Sequence, residues 1–258
     1  MQAIVTAGGI PEQGEPLYDY TQGKPKALVD IAGKPMIQWV LDALCGSAAV
    51  EEVVLVGLAE DSGVSCDKLA AFLPSQGGIL ENVRAGVEKV VALHPETRHV
   101  LVASSDIPGI DSGIVDWLVD QALQSDHDIY YTVVTREVME KRYPTSNRSY
   151  TRLKEAEVCG GDMNVIRAKT VTKNEELWRK IIAARKSVLR QASLIGFSTL
   201  LLLLLRRLDL ESGVKRVTER LDITGRVIFS PYAEIAMDVD KPHQLELLRA
   251  DLAQRVQA

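Results

Sequence analysis

The beginning of the chain places an apolar strand pattern directly before a glycine-rich loop. Residues 2–6 read Gln-Ala-Ile-Val-Thr, and Ala7, Gly8 and Gly9 follow at once. Small residues after a buried strand let a ligand approach the backbone closely, and free backbone amides suit phosphate oxygens. In open α/β sheets, ligands bind beyond the carboxyl ends of the strands. The feature therefore predicts a phosphate-binding site built on the first strand of an α/β fold.

Apolar runs that suit strands alternate with helical patterns along the chain. The predicted strands are residues 2–6, 53–57, 100–103, 129–135, 227–229 and 235–239. The predicted helices are a helix through residues 39–44, a short helix at 66–73, a helix at 81–93, a helix capped by Ser112, and a closing helix at 242–256. Strands separated by helices of this length are typical of βαβ units. The order predicts a three-layer α/β/α sandwich with a mostly parallel sheet.

Length and composition fit one domain that spans residues 1–258. With 46% hydrophobic and 25% charged residues, the chain can bury one large core. Residues from about 173 to 222 are interpreted as a helical subregion of that domain. Its leucine run, Leu200–Leu205, is too short to span a membrane. It is interpreted as a buried helix or, as the second choice, as a contact between two copies of the chain.

Charge and cysteine content narrow the class of protein further. The chain has 30 basic and 35 acidic residues, which argues against nucleic acid as its main partner. Cys45, Cys66 and Cys159 have neither metal-ligand spacing nor an even count, so they are interpreted as thiols in a reducing compartment. A cytoplasmic location without a membrane partner is therefore expected.

Two further stretches complete the N-terminal pattern and carry a resemblance. Residues 24–29 read Lys-Pro-Lys-Ala-Leu-Val, and residues 32–37 read Ala-Gly-Lys-Pro-Met-Ile. Together with residues 3–9, they resemble the signature of the nucleotidyltransferase superfamily with the GT-A-like, Rossmann-related fold. This superfamily includes sugar-phosphate nucleotidylyltransferases, molybdopterin nucleotidylyltransferases and cobinamide-phosphate guanylyltransferases. The chain departs from the usual Gly-x-Gly-x-Arg-Met run, because Ile10–Pro16 lacks the superfamily's triphosphate-binding arginine.

The resemblance implies a reaction. A Mg²⁺- or Mn²⁺-dependent enzyme would move a nucleotidyl group from an NTP to a phosphorylated small-molecule acceptor and release pyrophosphate. An acceptor phosphate is already ionised near neutral pH, so this chemistry requires no general base. Orientation, together with charge neutralisation by the metal ion and Lys26, would supply the catalysis.

Three aspartates are the candidate metal ligands. Asp106 follows the predicted strand at residues 100–103, where the resemblance implies a metal-binding aspartate; a lone loop aspartate otherwise caps a turn. Asp238 and Asp240 lie in a segment similar to the superfamily's closing Asp-x-Asp-x-Pro-x-x-Leu pattern. Alternation along a strand would place both on one face, where they could share a cation with Asp106. Asp240 also suits a cap of the last helix.

The remaining candidates divide between the nucleotide and the acceptor. Lys26 matches the superfamily's phosphate-contacting lysine, with Lys24 and Lys34 as alternatives, and Lys26 and Asp106 are the predicted catalytic residues. Asn82 can pair with a base edge. The predicted nucleotide-binding residues are Ala7, Gly8, Gly9, Lys26, Gly78 and Asn82. The predicted acceptor-side residues are Gly161, Asp162 and Asn164.

Two other functions fit parts of the pattern. A GT-A-type glycosyltransferase would use a nucleotide-sugar and an Asp-x-Asp motif at the end of a central strand, where this chain has the single Asp106. A non-catalytic protein that binds nucleotide without turning it over would fit the missing arginine.

Overall fold

The structure is a computed structural model that describes residues 1–172 and 209–257. Its strands are β1 (Gln2–Thr6), β2 (Asp30–Ile31), β3 (Lys34–Pro35), β4 (Val53–Val56), β5 (Leu69–Leu73), β6 (His99–Ser104), β7 (Ile129–Thr135), β8 (Thr151–Arg152), β9 (Glu157–Gly160), β10 (Met163–Arg167) and β11 (Gly225–Phe229). Its α-helices are α1 (Tyr18–Thr21), α2 (Met36–Gly46), α3 (Ile79–Leu93), α4 (Ser112–Leu123), α5 (Arg136–Arg142), α6 (Ala168–Thr172), α7 (Leu210–Leu221) and α8 (Pro242–Gln257). Short 3-10 helices cover Lys26–Leu28, Glu60–Ser62 and Ala233–Ala236. Within the two described ranges, no helix has the length and hydrophobicity that a transmembrane span requires.

Nine of the strands in the described ranges form one sheet, in the order β5-β4-β1-β6-β10-β7-β9-β8, with β11 paired to β7. Strands β5, β4, β1 and β6 are parallel, whereas β10 is antiparallel to both β6 and β7. Thr6 is in register with Val56 and with Ser104. The carboxyl ends of β1, β4 and β6 therefore meet at one edge of the sheet, as the predicted α/β fold requires.

Helices cover both faces of β1. Ala3 and Val5 pack in a core cluster that contains α2 and α4 residues, whereas Ile4 packs in a cluster with α3 and α6. Successive side chains of a strand point to opposite faces, so a strand buried along its whole length requires a helical layer on each side. A third cluster joins α5, α8 and the segment around Met237. The predicted three-layer arrangement is confirmed.

Most predicted elements lie within one or two residues of the observed ones, and the strands at 2–6 and 129–135 have the predicted bounds. Helix α7 is the described part of the predicted helical subregion. Residues 173–208, which include Leu200–Leu205, lie outside the described residues.

Three local predictions are wrong. The predicted helix at 66–73 is instead β5, which pairs in parallel with β4. The predicted strand at 235–239 is instead a 3-10 helix, Ala233–Ala236, followed by a segment that packs against α8. Both runs are short and apolar, and such runs fit either periodicity. The cap of α4 is Asp111 rather than Ser112, because the Asp111 side chain accepts the bond from the Ile114 amide at 2.9 Å.

The thiol interpretation of two cysteines is also wrong. Cys45, near the end of α2, and Cys66, before β5, form a disulfide across 21 positions of sequence, with Cα atoms 5.9 Å apart. Cys159 is a free, buried cysteine. The pairing depends on the packing of the segment before β5 against the end of α2, which spacing in sequence does not reveal.

Replacement of Gly57 by alanine is expected to destabilise the protein more than the same change at Gly63. Both glycines have positive φ, 113° and 79°, but a Cβ at Gly57 would lie 2.3 Å from the Gly8 nitrogen, whereas nothing lies within 4 Å at Gly63. Gly63→Ala should lower the free energy of unfolding by about 1 kcal/mol, from backbone strain alone. Gly57→Ala should lower it by about 3 kcal/mol, because steric overlap adds to that strain. Urea unfolding measures both, and equal losses would contradict the contact.

Removal of the disulfide should lower the free energy of unfolding by about 3 kcal/mol, because a loop of this length then regains its freedom in the unfolded chain. The variant is Cys45→Ser/Cys66→Ser, compared with the wild type in urea with and without a dithiol reductant. Reductant should lower wild-type stability to that of the double variant and leave the double variant unchanged. Cys159→Ser is the control, which should keep the wild-type response to reductant.

Candidate active site

A cleft of about 370 Å³ lies at the sheet edge where β1 and β6 end. It is lined by Thr6, Gly8, Gly9, Lys26, Ala27, Ser75, Gly77, Gly78, Ile79, Asn82, Ser104, Ser105 and Asp106. The lining combines the loops after β1, β5 and β6 with the start of α3. The structure therefore brings the predicted residues Gly8, Gly9, Lys26, Gly78, Asn82 and Asp106 into one cleft, and their roles stay predictions.

Gly8 leaves no room for a side chain in this cleft. A Cβ there would lie 2.5 Å from Ser75 Oγ and 2.8 Å from Asn82 Nδ2. The Asn82 side-chain Oδ1 accepts a hydrogen bond from the Gln76 backbone amide at 2.6 Å. Asn82 thus ties the loop after β5 to the start of α3, and its side-chain Nδ2 lies beside Gly8 as the group that could face a base.

Lys26 lies between two carboxylates. Its Nζ is 2.6 Å from Asp106 Oδ2 and 2.8 Å from Asp240 Oδ1. Its backbone amide donates to the Gly9 carbonyl at 2.9 Å, which ties the lysine to the glycine loop. Of the two alternatives, Lys34 pairs with Asp42 at 2.7 Å and Lys24 is exposed. Lys26 is therefore the lysine that the fold places in the cleft.

Asp106 and Asp240 are held by further contacts. Ser104 Oγ donates to Asp106 Oδ1 at 2.6 Å, and the amide of Val239 donates to the Asp106 carbonyl at 2.9 Å. The second bond joins the segment that carries Asp240 to the end of β6. Residues far apart in sequence thus meet because one late segment runs alongside the edge of the sheet.

The negative charges of the two carboxylates stabilise the positive charge of Lys26. Burial alone would lower the pKa of Lys26, but the negative charges of Asp106 and Asp240 outweigh it and raise the pKa above its ordinary value. Lys26 is consequently a permanent cation at neutral pH.

Asp238 does not face the same way as Asp240. Its Oδ1 forms an ion pair with Nη1 of Arg148, and both side chains are largely buried. The prediction that Asp238 and Asp240 lie on one face of a strand is wrong, because the segment is not a strand. Sequence patterning gave no signal for Arg148, which lies in the loop between α5 and β8.

Asp162 is a partly buried acid that interacts electrostatically with both of these groups of charges. Its amide donates to the Ile235 carbonyl and its carbonyl accepts from the Ser104 amide, both at 2.9 Å. Its Oδ2 is buried without a hydrogen-bond partner among the described residues. Burial and the charge of Asp106 raise the pKa of Asp162 to about 7, against the opposing charge of Arg148. Asp162 is therefore an electrostatic neighbour of the cluster as well as a predicted acceptor-side residue.

The other two acceptor-side residues have structural contacts. Asn164 Oδ1 accepts from the Thr132 amide at 2.8 Å, and its Nδ2 donates to the Gly161 carbonyl at 3.0 Å. A Cβ at Gly161 would lie 2.2 Å from Thr132 Oγ1. The bond from Thr132 joins β7 to β10, and the acceptor-side roles of Gly161 and Asn164 stay predictions.

The carboxylates of Asp106 and Asp240 fit a magnesium ion. Mg²⁺ prefers oxygen ligands and is commonly held by one or two carboxylates together with substrate phosphates. Both carboxylates already share one cation, the Lys26 ammonium. In the described ranges, no group of three or more His, Cys, Asp or Glu side chains is arranged to hold a metal alone. Two carboxylates are a number of protein ligands that Mg²⁺ commonly has when substrate phosphates supply others.

The fold and this cluster define a nucleotidyltransferase, and comparison with known proteins gives the family. The MobA-like NTP transferase domain matches residues 3–224, so the chain belongs to the MobA-like NTP transferase family. Its members are nucleotidyltransferases, in agreement with the resemblance seen in the sequence.

Individual relatives agree with this assignment. A hypothetical transferase from Thermus thermophilus is 35% identical, with a TM-score of 0.82 over 95% of this chain and 98% of that one. A CMP:2-keto-3-deoxy-manno-octonic acid synthetase complexed with CTP is 18% identical, with a TM-score of 0.59 over 98% of both chains, and shares the fold. The bifunctional enzyme IspD/IspF of Sphingopyxis alaskensis is 30% identical over 99 residues, which are 38% of this chain. The match spans 25% of the length of that curated relative.

Asp162 should make the protein less stable as pH rises. The folded protein holds the Asp162 proton up to about pH 7, whereas the unfolded chain releases it near the ordinary value of 3.8. The stability that this group contributes is therefore complete below about pH 4 and lost as pH rises to about 7. Asp162→Asn should exceed the wild-type free energy of unfolding by on the order of 2 kcal/mol at pH 8, with a smaller difference at pH 5.

Urea unfolding at the two pH values, with EDTA present, measures this difference. Asp19→Asn, at an exposed aspartate, makes the same charge change and should follow the wild type. Parallel pH dependence of Asp162→Asn and the wild type would contradict the interpretation.

Proposed function

We propose that this protein transfers a nucleotidyl group from an NTP to a phosphorylated small molecule and releases pyrophosphate. The observation that carries the proposal is the Lys26 ammonium, held by Asp106 and Asp240 beside the glycine-lined cleft. Family membership supports the reaction type. The CTP held by one structural neighbour supports a nucleoside triphosphate as the donor.

In the proposed reaction, the loop of Gly8 and Gly9 and the Lys26 ammonium bind the triphosphate. An acceptor phosphate oxygen forms a bond to the α-phosphorus while the bond from that phosphorus to the pyrophosphate oxygen breaks. The attacking phosphate is ionised, so no proton has to be removed. Lys26 keeps its positive charge because its carboxylate partners raise its pKa, and it stabilises negative charge on the departing pyrophosphate.

Asp106 and Asp240 would hold Mg²⁺ or Mn²⁺ in this reaction. Such a cation supplies charge neutralisation on the phosphate oxygens. Positive charge from a cation is needed here because the segment Ile10–Pro16 contains two glutamates and no basic residue. Lys26 is the one basic side chain among the described residues that line the cleft. We infer that the cation and Lys26 together replace the charge that an arginine supplies in the superfamily's usual loop.

A thermal-shift panel of ATP, GTP, CTP, UTP and dTTP, with and without Mg²⁺, tests the binding step. At least one NTP should raise the melting temperature only when Mg²⁺ is present, by an amount that corresponds to about 3 kcal/mol at a concentration 100-fold above Kd. Asp106→Asn and Lys26→Met should abolish the shift. Lys34→Met is the matched control, since Lys34 pairs with Asp42 and does not line the cleft.

The nucleotide found in this way is then incubated with phosphorylated sugars and polyols, and pyrophosphate release is measured. Acceptor-dependent release that Asp106→Asn abolishes is the expected result. Stabilisation by a nucleotide-sugar and by no NTP would replace nucleotidyl transfer with glycosyl transfer. An NTP shift that persists in Asp106→Asn would contradict the proposed site.

A further inference from the structure

Asp240 lies between two points at which its own segment is fastened to one loop. On one side, Asp238 pairs with Arg148 of the loop at residues 143–150. On the other side, His243 Nε2 donates to the carbonyl oxygen of Ser146, in the same loop, at 3.1 Å. The loop at residues 143–150 therefore contacts the chain both before and after Asp240.

The backbone around Asp240 has no regular strand pairing to orient it in the described residues. Instead, the amides of Asp240 and Lys241 both donate to Gln244 Oε1, at 3.0 and 2.9 Å. The Asp240 side chain is 57% exposed and reaches Lys26 at 2.8 Å. An exposed carboxylate on irregular backbone keeps one orientation only if its neighbours are fixed. The Val239 amide is bound to the Asp106 carbonyl, and Asp238 is paired with Arg148.

Stability alone does not account for the Arg148–Asp238 pair. Both side chains are mostly buried, and Arg148 Nε is buried without a hydrogen-bond acceptor among the described residues. Withdrawing two charges from water offsets much or all of their mutual attraction, so a buried ion pair is weak as a stabilising device. Such a pair can instead fix the orientation of the segment that carries it.

We propose that Arg148, acting through Asp238, is a positioning residue that holds Asp240 against Lys26. The purpose of this arrangement rests on the proposed function, in which Asp240 would hold the cation that accompanies the nucleotide. Asp238 is then a structural anchor, in contrast to the earlier expectation that it ligates the metal.

Variants of Arg148 and Asp238 distinguish two interpretations. In the anchor interpretation Asp238 holds the segment through Arg148, and in the ligand interpretation Asp238 binds the metal ion. Mg²⁺ is titrated into protein with CTP, and separately with ATP, GTP and UTP, and the melting temperature is followed for Arg148→Met, Asp238→Asn and the double variant. If the pair is an anchor, each single variant needs about tenfold more Mg²⁺ for half of the shift, as expected for the loss of one charged hydrogen bond. The double variant should need no more than either single one, because the two residues act as a unit.

The ligand interpretation gives a different pattern. Asp238→Asn would then weaken the Mg²⁺ response, whereas Arg148→Met would leave it unchanged or strengthen it by freeing the carboxylate. That pattern would overturn the proposal. Arg152→Met is the matched control, because Arg152 pairs with Glu157 on β8–β9 and is 51% exposed, and it should behave as the wild type.

A second measurement needs no nucleotide. Reductive methylation of Lys26 by formaldehyde and a borane, followed by mass spectrometry, reports how firmly its carboxylate partners hold it. Lys26 should be methylated faster than in the wild type, and at similar rates, in Asp240→Asn, Arg148→Met and Asp238→Asn. The rate in Arg148→Lys should lie between that of the wild type and those of the three variants. Unchanged rates in Arg148→Met and Asp238→Asn, with a rise in Asp240→Asn, would overturn the positioning role.

The Mg²⁺ titration and the methylation of Lys26 also test the proposed function and the positioning role of Arg148 separately. If no NTP stabilises the wild type with Mg²⁺, the proposed function fails, while the methylation rates still decide whether Arg148 positions Asp240. Should Arg148→Met fail to fold, the double variant with Asp238→Asn removes both buried charges, and Arg148→Lys keeps both charges but changes the geometry of the pair. The comparison then stands on those variants.

Discussion

The Lys26 ammonium between Asp106 and Asp240 is the interaction on which the site depends. Asp106 lies 80 positions and Asp240 lies 214 positions from Lys26 in sequence. Without the ammonium, the carboxylates of Asp106 and Asp240 would repel each other; without the carboxylates, burial would lower the lysine pKa. The parallel register of β1 and β6 brings the glycine loop and Asp106 to one edge, and the Val239–Asp106 backbone bond adds Asp240.

Around this cluster, carboxylates outnumber basic groups. Asp106, Asp162, Asp238 and Asp240 share the region with Lys26 and Arg148. The raised pKa of Asp162 is a consequence of that excess together with burial. In the proposed function, a cation bound with the triphosphate would offset this excess of negative charge.

Sequence reasoning found the residues that belong to a contiguous pattern. Gly8, Gly9, Lys26 and Asp106 were predicted and line the same cleft. It missed Arg148 and Ser75, because a single arginine or serine in a polar loop has no pattern that separates it from solvent-exposed neighbours. It gave no signal for the contacts of Asn164 with Thr132 on β7 and with the nearby Gly161, and the acceptor-side role of Asn164 stays a prediction.

By itself, the sequence determined the layered α/β fold, the bounds of β1 and β7, and the glycine loop with Lys26, because burial periodicity and backbone freedom act over a few residues. The tertiary structure decided the rest. It made residues 69–73 a strand beside β4, joined Cys45 to Cys66, and directed Asp238 to Arg148 while Asp240 met Lys26. Each of these outcomes depends on a partner distant in sequence. A short segment or a lone charged side chain has several acceptable local states, and only the surroundings that the fold supplies select one of them.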